Sequence, residues 1–281
     1  VLLENLRFFP GETIDSKKKD FSEELFALAD FYINDAFGSS HRDNASIATL
    51  PTLFSEDKIA IGPLIEKEVL ALKILKEKLE QPFVLIAGGN KLSTKLSMLK
   101  TLMNSSKKHR PDSILVGGRL AHAFLRAEGD HNPLFDVSAE DIEIARGIID
   151  LAAKQKISLT IPTDHIVADV DQIKRAVDIG MNTVQQFTEE ISTAKTFFLN
   201  GPIGMYEHPE GTFGTDKICH AIAQSSATLK IVGGGDTISA IRQYKLESNF
   251  TLLSTGGGSL LAFLALENPE QDLPGLAALS R

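Results

Sequence analysis

"TLKIVGGGDTISAI", residues 228–241, sets the problem of the fold: a strand-forming run stops at Gly233, Gly234 and Gly235, then an acid, a hydroxyl and a helical pattern follow. Adjacent glycines weaken regular structure, each by about 0.5–1 kcal/mol against alanine, so bare backbone must serve a purpose here. The same rhythm of apolar run into glycine recurs at "FVLIAGG" (83–89), "SILVGG" (113–118), "KTFFLNGPIG" (195–204) and "FTLLSTGGG" (250–258). "ISLTIPTD" (157–164) adds a strand closing on Pro162 and Asp164. Helical patterns follow most of these runs, and short apolar strands alternating with helices predict a doubly wound parallel sheet buried on both faces.

Working outward, "GPLIEKEVLALKILKEKLEQP" (62–82) spaces Leu64, Val69, Leu72 and Leu75 as one helical face between a Gly-Pro start and Pro82, which predicts a long helix. Upstream, "VLLENLRF" (1–8) and "FYINDAF" (31–37) look like buried strands around a helix in "KDFSEELFALA" (19–29), again the alternation of a parallel α/β sheet. The expected organisation is therefore α/β, with two doubly wound parallel-sheet domains joined by a hinge helix. Residues 1–62 would form the first domain, 63–81 the interdomain helix, 82–266 the second domain, and 267–281 a tail returning to the first. A strand at the first residue suggests a chain that begins partway through a domain, so the first domain is expected to be incomplete.

Bulk properties narrow the function classes. The 281 residues are 43% apolar and 23% charged with a net charge of −8, and without a basic run nucleic-acid binding is disfavoured. Cys219 is the only cysteine and the seven histidines are scattered, which argues against a disulfide framework or a dedicated metal cluster and favours the cytoplasm. No apolar run approaches the ~18–20 residues of a membrane span.

In an open parallel sheet, ligands bind beyond the carboxyl ends of the strands, where glycine turns and helix N-termini can meet an anion. In "AGGNKLSTKLSMLK" (87–100), Lys91 and Lys95 lie four apart at a helix start. Like charges at that spacing repel by about 0.2–0.5 kcal/mol, a penalty that a bound polyphosphate would reverse. Asp236 follows the 233–235 turn where a carboxylate could hold Mg²⁺, and the Thr237 hydroxyl could reach a phosphate or merely cap a helix. Arg42, in "INDAFGSSHRDNAS" (33–46), is a candidate clamp for phosphate or carboxylate. Neither G-x-x-x-x-G-K-[ST] nor G-x-G-x-x-G occurs, which removes the best support for a P-loop ATPase or a nicotinamide-dependent oxidoreductase.

Taken together, "LLENLRF", "YINDAFGSSHR", "GPLIEKE", "GGNKLSTKL", "NGPIGMYE", "GGGDT", "STGGG" and "LPGLAAL" resemble the phosphoglycerate kinase family, in the same order along nearly the whole chain. The resemblance implies a monomeric, hinge-bending glycolytic enzyme of the cytoplasm. It would transfer phosphate reversibly between 1,3-bisphosphoglycerate and MgADP, giving 3-phosphoglycerate and MgATP, with Mg²⁺ as cofactor and no nucleic-acid or membrane partner. It implies that Lys91, Gly235, Gly257 and Gly258 act at the transfer centre and that Arg42 holds phosphoglycerate. Gly89, Lys95, Gly117, Gly118, Asn200, Pro202, Gly204, Glu207, Gly234, Gly235, Asp236 and Thr237 would surround the nucleotide, with Asp236 on the metal.

Several departures accompany the resemblance. The family's opening Asp-x-Asn turn, arginine and His-x-x-Arg group are absent from the sequence, which is expected to be a fragment and inactive as it stands; the alternative is a homologue that binds nucleotide without catalysis. Gln81 replaces an arginine expected to touch phosphoglycerate, Arg119 replaces the third glycine of an adenine-side triplet, Gly211 replaces a phenylalanine and Ala262 a glutamate.

Overall fold

The computed structural model describes residues 2–280. By internal packing these form two compact units: one holds the residues up to Ile74 together with those from Gly258 onward, the other is Leu75–Gly257.

The first unit opens on a turn. Residues 2–8 were expected as a strand, but they form an extended lead and a 3₁₀ turn at Leu6–Phe8, where the Asn5 side chain accepts the Arg7 N–H. Apolar composition suggested a strand; the local side-chain bond of Asn5 competes with that state, and Leu2 and Phe8 are exposed. Val1 lies outside the described residues. Helix α1 (Asp15–Phe26) leads to β1 (Tyr32–Asn34), much shorter than the expected 31–37, and β1 pairs in parallel with β2 (Ile59–Ile61), which the sequence did not announce. Helix α2 (Pro63–Lys78) starts where expected because Pro63 suits a first helical turn and the Asp35 carboxylate accepts the N–H groups of Leu64 and Ile65 at 2.6 and 3.2 Å. Glu12 is buried and accepts from the Asn44 amide and from the backbone and hydroxyl of Ser46, fixing the 44–46 segment. The chain's last residues pack in this unit: Gly275 N–H donates to the Ser40 carbonyl, and Lys73 pairs with Glu270 at 2.8 Å. The domain bounds expected from the sequence (1–62, 63–81, 82–266 and 267–281) differ from this packing, which divides α2 after Ile74 and groups the residues from Gly258 onward with the first unit.

The second unit is built on six parallel strands: β3 (Phe83–Ala87), β4 (Ser113–Val116), β5 (Ser158–Thr160), β8 (Thr196–Asn200), β9 (Leu229–Gly233) and β10 (Leu252–Ser254). Their spatial order is β10-β9-β8-β3-β4-β5. Between β5 and β8 lies a feature absent from the sequence reading, an antiparallel hairpin of β6 (His165–Val170) and β7 (Ile173–Ile179). The helices are α3 (Leu92–Met103), α4 (Gly118–Ala127), α5 (Ala139–Gln155), α6 (Met181–Thr193), α7 (Phe213–Gln224) and α8 (Gly235–Gln243), with α9 (Gly257–Ala265) beginning at the unit's last residue. Ser138 caps α5 by accepting the Asp141 N–H.

Every residue of β3, β8 and β9 is buried, as a sheet covered on both faces requires. Alternate side chains divide between the faces. Val84, Ile86, Phe197, Leu199 and Val232 join α6, α7 and α8 in one core cluster around Phe187, Ile218, Ile222 and Ile241. Phe197 is fully enclosed there, so Phe197→Ala is expected to destabilise the second unit by about 3–5 kcal/mol in a urea titration.

Candidate active site

The order β10-β9-β8-β3-β4-β5 reverses direction between β3 and β8: the chain builds outward through β4 and β5, returns, and builds outward again through β9 and β10. Such a reversal leaves a crevice at the carboxyl ends of the two central strands. A cleft of about 330 Å³ opens at this edge, bounded by Gly89, Gly118 and Asp236 at the turns and by the β6–β7 hairpin opposite.

The turns interlock, and this changes the role read for their glycines. Gly88 N–H donates to the Asn200 carbonyl, Gly89 N–H to Pro202, Gly117 N–H to Ala87 and Gly118 N–H to Ile203. The N–H groups of Ile203 and Gly204 go to the Thr215 hydroxyl, and Gly234 N–H goes to the Ser254 carbonyl. The glycine turns were read as baring backbone to a ligand, the one at Gly234 to phosphate; these N–H groups hold one loop to the next. Side chains are excluded by the same closeness: a Cβ on Gly88 would collide with the Pro202 carbonyl, and one on Gly117 would meet the Ile203 side chain at 2.7 Å. Gly118 and Gly234 also need positive φ, +58° and +99°.

The opening triplet therefore has three separate explanations. Gly233 leaves space for the Asn200 amide and the Phe198 ring, Gly234 supplies the left-handed turn, and Gly235 faces open space as the first residue of α8. At that start the N–H groups of Gly235, Asp236 and Thr237 have no acceptor within the helix, which leaves donors free at the start of α8, the kind of helix start that suits an anion. Thr237 corrects a further expectation. It is fully buried, its hydroxyl accepts Gly201 N–H at 2.8 Å and donates to the Gly233 carbonyl at 3.2 Å, so it braces β8 against β9 and does not face the cleft.

Charged groups gather in front of α8. Asp236 is exposed on the cleft wall. Lys91 occupies the N-cap of α3, exposed, and Lys95 sits one turn on with its ammonium donating to the Asn200 carbonyl at 3.0 Å. Burial lowers the Lys95 pKa to about 7, with Asp236 opposing that shift and Lys91 adding to it. Asn200 is buried, and its Nδ2 has no hydrogen-bond partner among the described residues. A buried amide donor without a partner costs about 1–3 kcal/mol, so it invites an acceptor. Glu207 is exposed on the same cleft, beyond Pro202 and Gly204.

The division between the units falls between two of the expected transfer residues, Gly257 and Gly258. Gly257 approaches Gly234 across the β9 and β10 turns. Gly258 is grouped with the first unit, where a Cβ would meet the His41 ring at 3.0 Å and where His41 Nδ1 lies 2.8 Å from the Ser259 hydroxyl. Arg42, next to His41, is exposed in that unit.

The departures also resolve. Gln81 precedes the amino end of β3, opposite the glycine edge, where its amide donates to the Lys108 and Arg110 carbonyls; the expected effect on phosphoglycerate contact finds no support in this placement. Gly211 is required because a Cβ would strike the Met205 carbonyl. Ala262 is half-buried in α9, and nothing in the structure explains that substitution. The sequence reading missed His122, His165, Arg175 and Asp178, which line the cleft from α4 and the hairpin. Asp178 accepts from Gly214 N–H and Ile179 N–H, and burial raises its pKa to about 7. Its surroundings in "VDIG" (177–180) offered no motif that could be placed without the hairpin.

Fold, switch-point cleft and cationic helix start together define a phosphate-binding α/β protein of the nucleotide-handling kind. The family model described as "Phosphoglycerate kinase" matches residues 1–267. The chain is similar to the phosphoglycerate kinase of Dictyoglomus turgidum, at 37% identity over 99% of this chain and 71% of that protein. Its likeness to that of Sulfurimonas denitrificans is 38%, over 100% and 71%. Among solved structures it resembles phosphoglycerate kinase from Coxiella burnetii, with a TM-score of 0.73 and 32% identity, covering 100% of this chain and 72% of that one. The chain belongs to the phosphoglycerate kinase family, phosphotransferases with a carboxyl group as acceptor.

Thr237→Val keeps shape while removing the acceptor for buried Gly201 N–H. It is expected to lower stability by about 1–3 kcal/mol, measured by thermal or urea unfolding.

Proposed function

We propose that the second unit binds MgADP or MgATP with its phosphates on the first turn of α8, and that the first unit holds phosphoglycerate through Arg42. The observation that carries this reading is the buried Asn200 amide without a partner, flanked by the Lys95 ammonium and the start of α8.

Each residue then has a definite task. The N–H groups of Gly235 and Asp236 and the Asn200 amide donate to phosphate oxygens, and Lys95 neutralises their charge. Lys91, exposed at the N-cap of α3, stabilises the phosphoryl group in transit. Glu207 accepts from the ribose hydroxyls, while Pro202 and Gly204 hold the nucleotide's flank. Residues 89, 117 and 118 shape the floor by close packing, and Gly257 keeps the β10 turn close to Gly234.

Mg²⁺ fits this donor set. No group of three or more His, Cys, Asp or Glu among the described residues could cage a metal, and Mg²⁺ in nucleotide sites is commonly bound by one or two carboxylates plus substrate phosphates. Asp236 would hold it, and the ion would supply charge neutralisation across the phosphate oxygens. No protein base is required, because the acceptor carboxylate is ionised at neutral pH and transfer rests on positioning and electrostatics.

The test is calorimetric titration of MgADP into the folded chain; an absence of binding would end this reading. Asp236→Asn should remove the difference in ADP affinity between Mg²⁺ and EDTA buffers. Lys95→Met should weaken ADP by about 10–100-fold, the equivalent of one charge-assisted hydrogen bond.

Lys95 also predicts a pH signature. Its folded pKa, about 7, lies below the ordinary 10.5, so between those values the folded chain holds fewer protons at this group than the unfolded chain. Its penalty on folding is therefore full below pH 7 and fades as pH rises toward 10.5. Phosphate binding favours the charged ammonium, so MgADP should take up close to one proton near pH 8.5. Titrations in buffers of different ionisation enthalpy will show it, and Lys95→Met should abolish it.

A further inference from the structure

Arg42 is followed directly by an acid, Asp43. Carboxylate and guanidinium pair readily, so Asp43 could occupy the donors that an anionic substrate needs. In the structure the two do not pair. Arg42 is exposed, and its guanidinium has no ion pair or hydrogen bond among the described residues. The Asp43 carboxylate turns to Lys18 of α1 instead, whose ammonium donates to Oδ2 at 3.0 Å.

Lys18 is well placed to hold that carboxylate. Its side chain is 10% exposed, against 69% for Asp43. A second acid, Asp15, lies one turn earlier on α1 and pairs with the same ammonium at 2.7 Å. A largely buried cation is costly to leave without its partners, so Lys18 competes strongly for Asp43.

The backbone on either side is fixed by other groups. His41 N–H donates to the Ser259 hydroxyl at 3.3 Å, and His41 Nδ1 lies 2.8 Å from the same oxygen. Beyond Asp43, buried Glu12 accepts from the Asn44 amide at 3.1 Å and from the Ser46 hydroxyl at 2.7 Å. These contacts set the path of the chain without engaging either charged side chain. Where the Asp43 charge lies is decided by Lys18.

We propose that Lys18 is a positioning residue acting through Arg42: it draws Asp43 onto α1 and leaves the guanidinium open to a phosphate or carboxylate. Its consequence for substrate rests on the reading of Arg42 as the phosphoglycerate clamp, whereas the pairing choice can be read without a ligand.

The experiment compares the full chain with Lys18→Met, Asp43→Asn and the double variant, each first shown to be folded by circular dichroism. Phenylglyoxal, an arginine-selective dicarbonyl, reads the guanidinium directly, with the Arg42 peptide quantified by mass spectrometry. Calorimetry with 3-phosphoglycerate at low ionic strength reads the clamp. Lys18→Met should slow Arg42 modification and weaken 3-phosphoglycerate, each by about two- to fivefold, the scale of one exposed ion pair. Asp43→Asn alone should match the parent in both. The double variant should return to parent values although it lacks the bridge as Lys18→Met does, a rescue that a merely structural role for Lys18 does not produce. Slow modification persisting in the double variant would overturn the proposal, and so would parent-like modification in Lys18→Met. Faster modification in Asp43→Asn would overturn it too, because Asp43 would then already shield Arg42 in the parent; this arm holds even where Lys18→Met does not fold. The expected modification pattern in a parent chain that binds no 3-phosphoglycerate would support the release of Arg42 and refute its reading as the phosphoglycerate clamp.

Discussion

The architecture of the second unit depends on how closely the turns after β3 and β8 approach one another. These are the two central strands, and beyond their ends the backbone of Gly88 and Gly89 lies directly on that of Gly201 and Pro202, joined by hydrogen bonds from Gly88 N–H and Gly89 N–H. No side chain fits: a Cβ at Gly201 would overlap the Gly88 carbonyl. The neighbouring turns are keyed to this contact, Gly118 through Gly89 and Ile203, and α8 through the Thr237 hydroxyl on Gly201 N–H. Because buried N–H groups must find acceptors, the loops satisfy one another and leave the first turn of α8 facing the cleft.

That arrangement explains which parts of the fold were legible in the sequence. The strands preceding glycine were readable because a strand buried on both faces is continuously apolar, as in "FVLIA" (83–87) and "LKIVG" (229–233). The β6–β7 hairpin was not, because its two-residue turn is Asp171-Gln172, both at positive φ, +52° and +66°. Such a turn usually carries Asn-Gly or Asp-Gly, so its customary signal is missing. The strand expected at residues 1–8 failed for the opposite reason: apolar composition was present, but strand formation needs a paired neighbour, and Asn5 offered the backbone a turn. Glycine spacing marked the strand ends that meet at the cleft, yet it could not distinguish glycines that pack from those that face open space. Only the folded backbone separates them: no Cβ fits at Gly88, whereas Gly235 faces open space.

Side-chain roles were harder to read than elements because they depend on which hydrogen bonds are already taken. Thr237 beside Asp236 reads as a ligand contact until its hydroxyl is found occupied at both ends. Gln81 reads as a lost substrate contact until the strand direction places it at the amino end of β3. Asp178 carries no legible motif of its own. It became visible once the hairpin brought its carboxylate against Gly204 and the N-terminal turn of α7.

Perturbed ionisation is often taken to mark catalytic groups, and this cleft shows why the inference needs the chemistry beside it. His122 is pushed down to about 4 and Asp178 up to about 7, both chiefly by burial. Neither perturbation supplies a base: His122 packs on Phe135, and Asp178 is engaged by the Gly214 and Ile179 N–H groups. Transfer to or from a carboxyl oxygen needs none, since the acceptor is already ionised. Such chemistry gains from cations whose charge strengthens as phosphate arrives, and Lys95 is of that kind. It is half-buried, held by one carbonyl, and charged only in part near neutral pH until an anion joins it. The shifts at His122 and Asp178 follow from building a wall, whereas the shift at Lys95 is a desolvation penalty of the kind that an adjacent anion relieves.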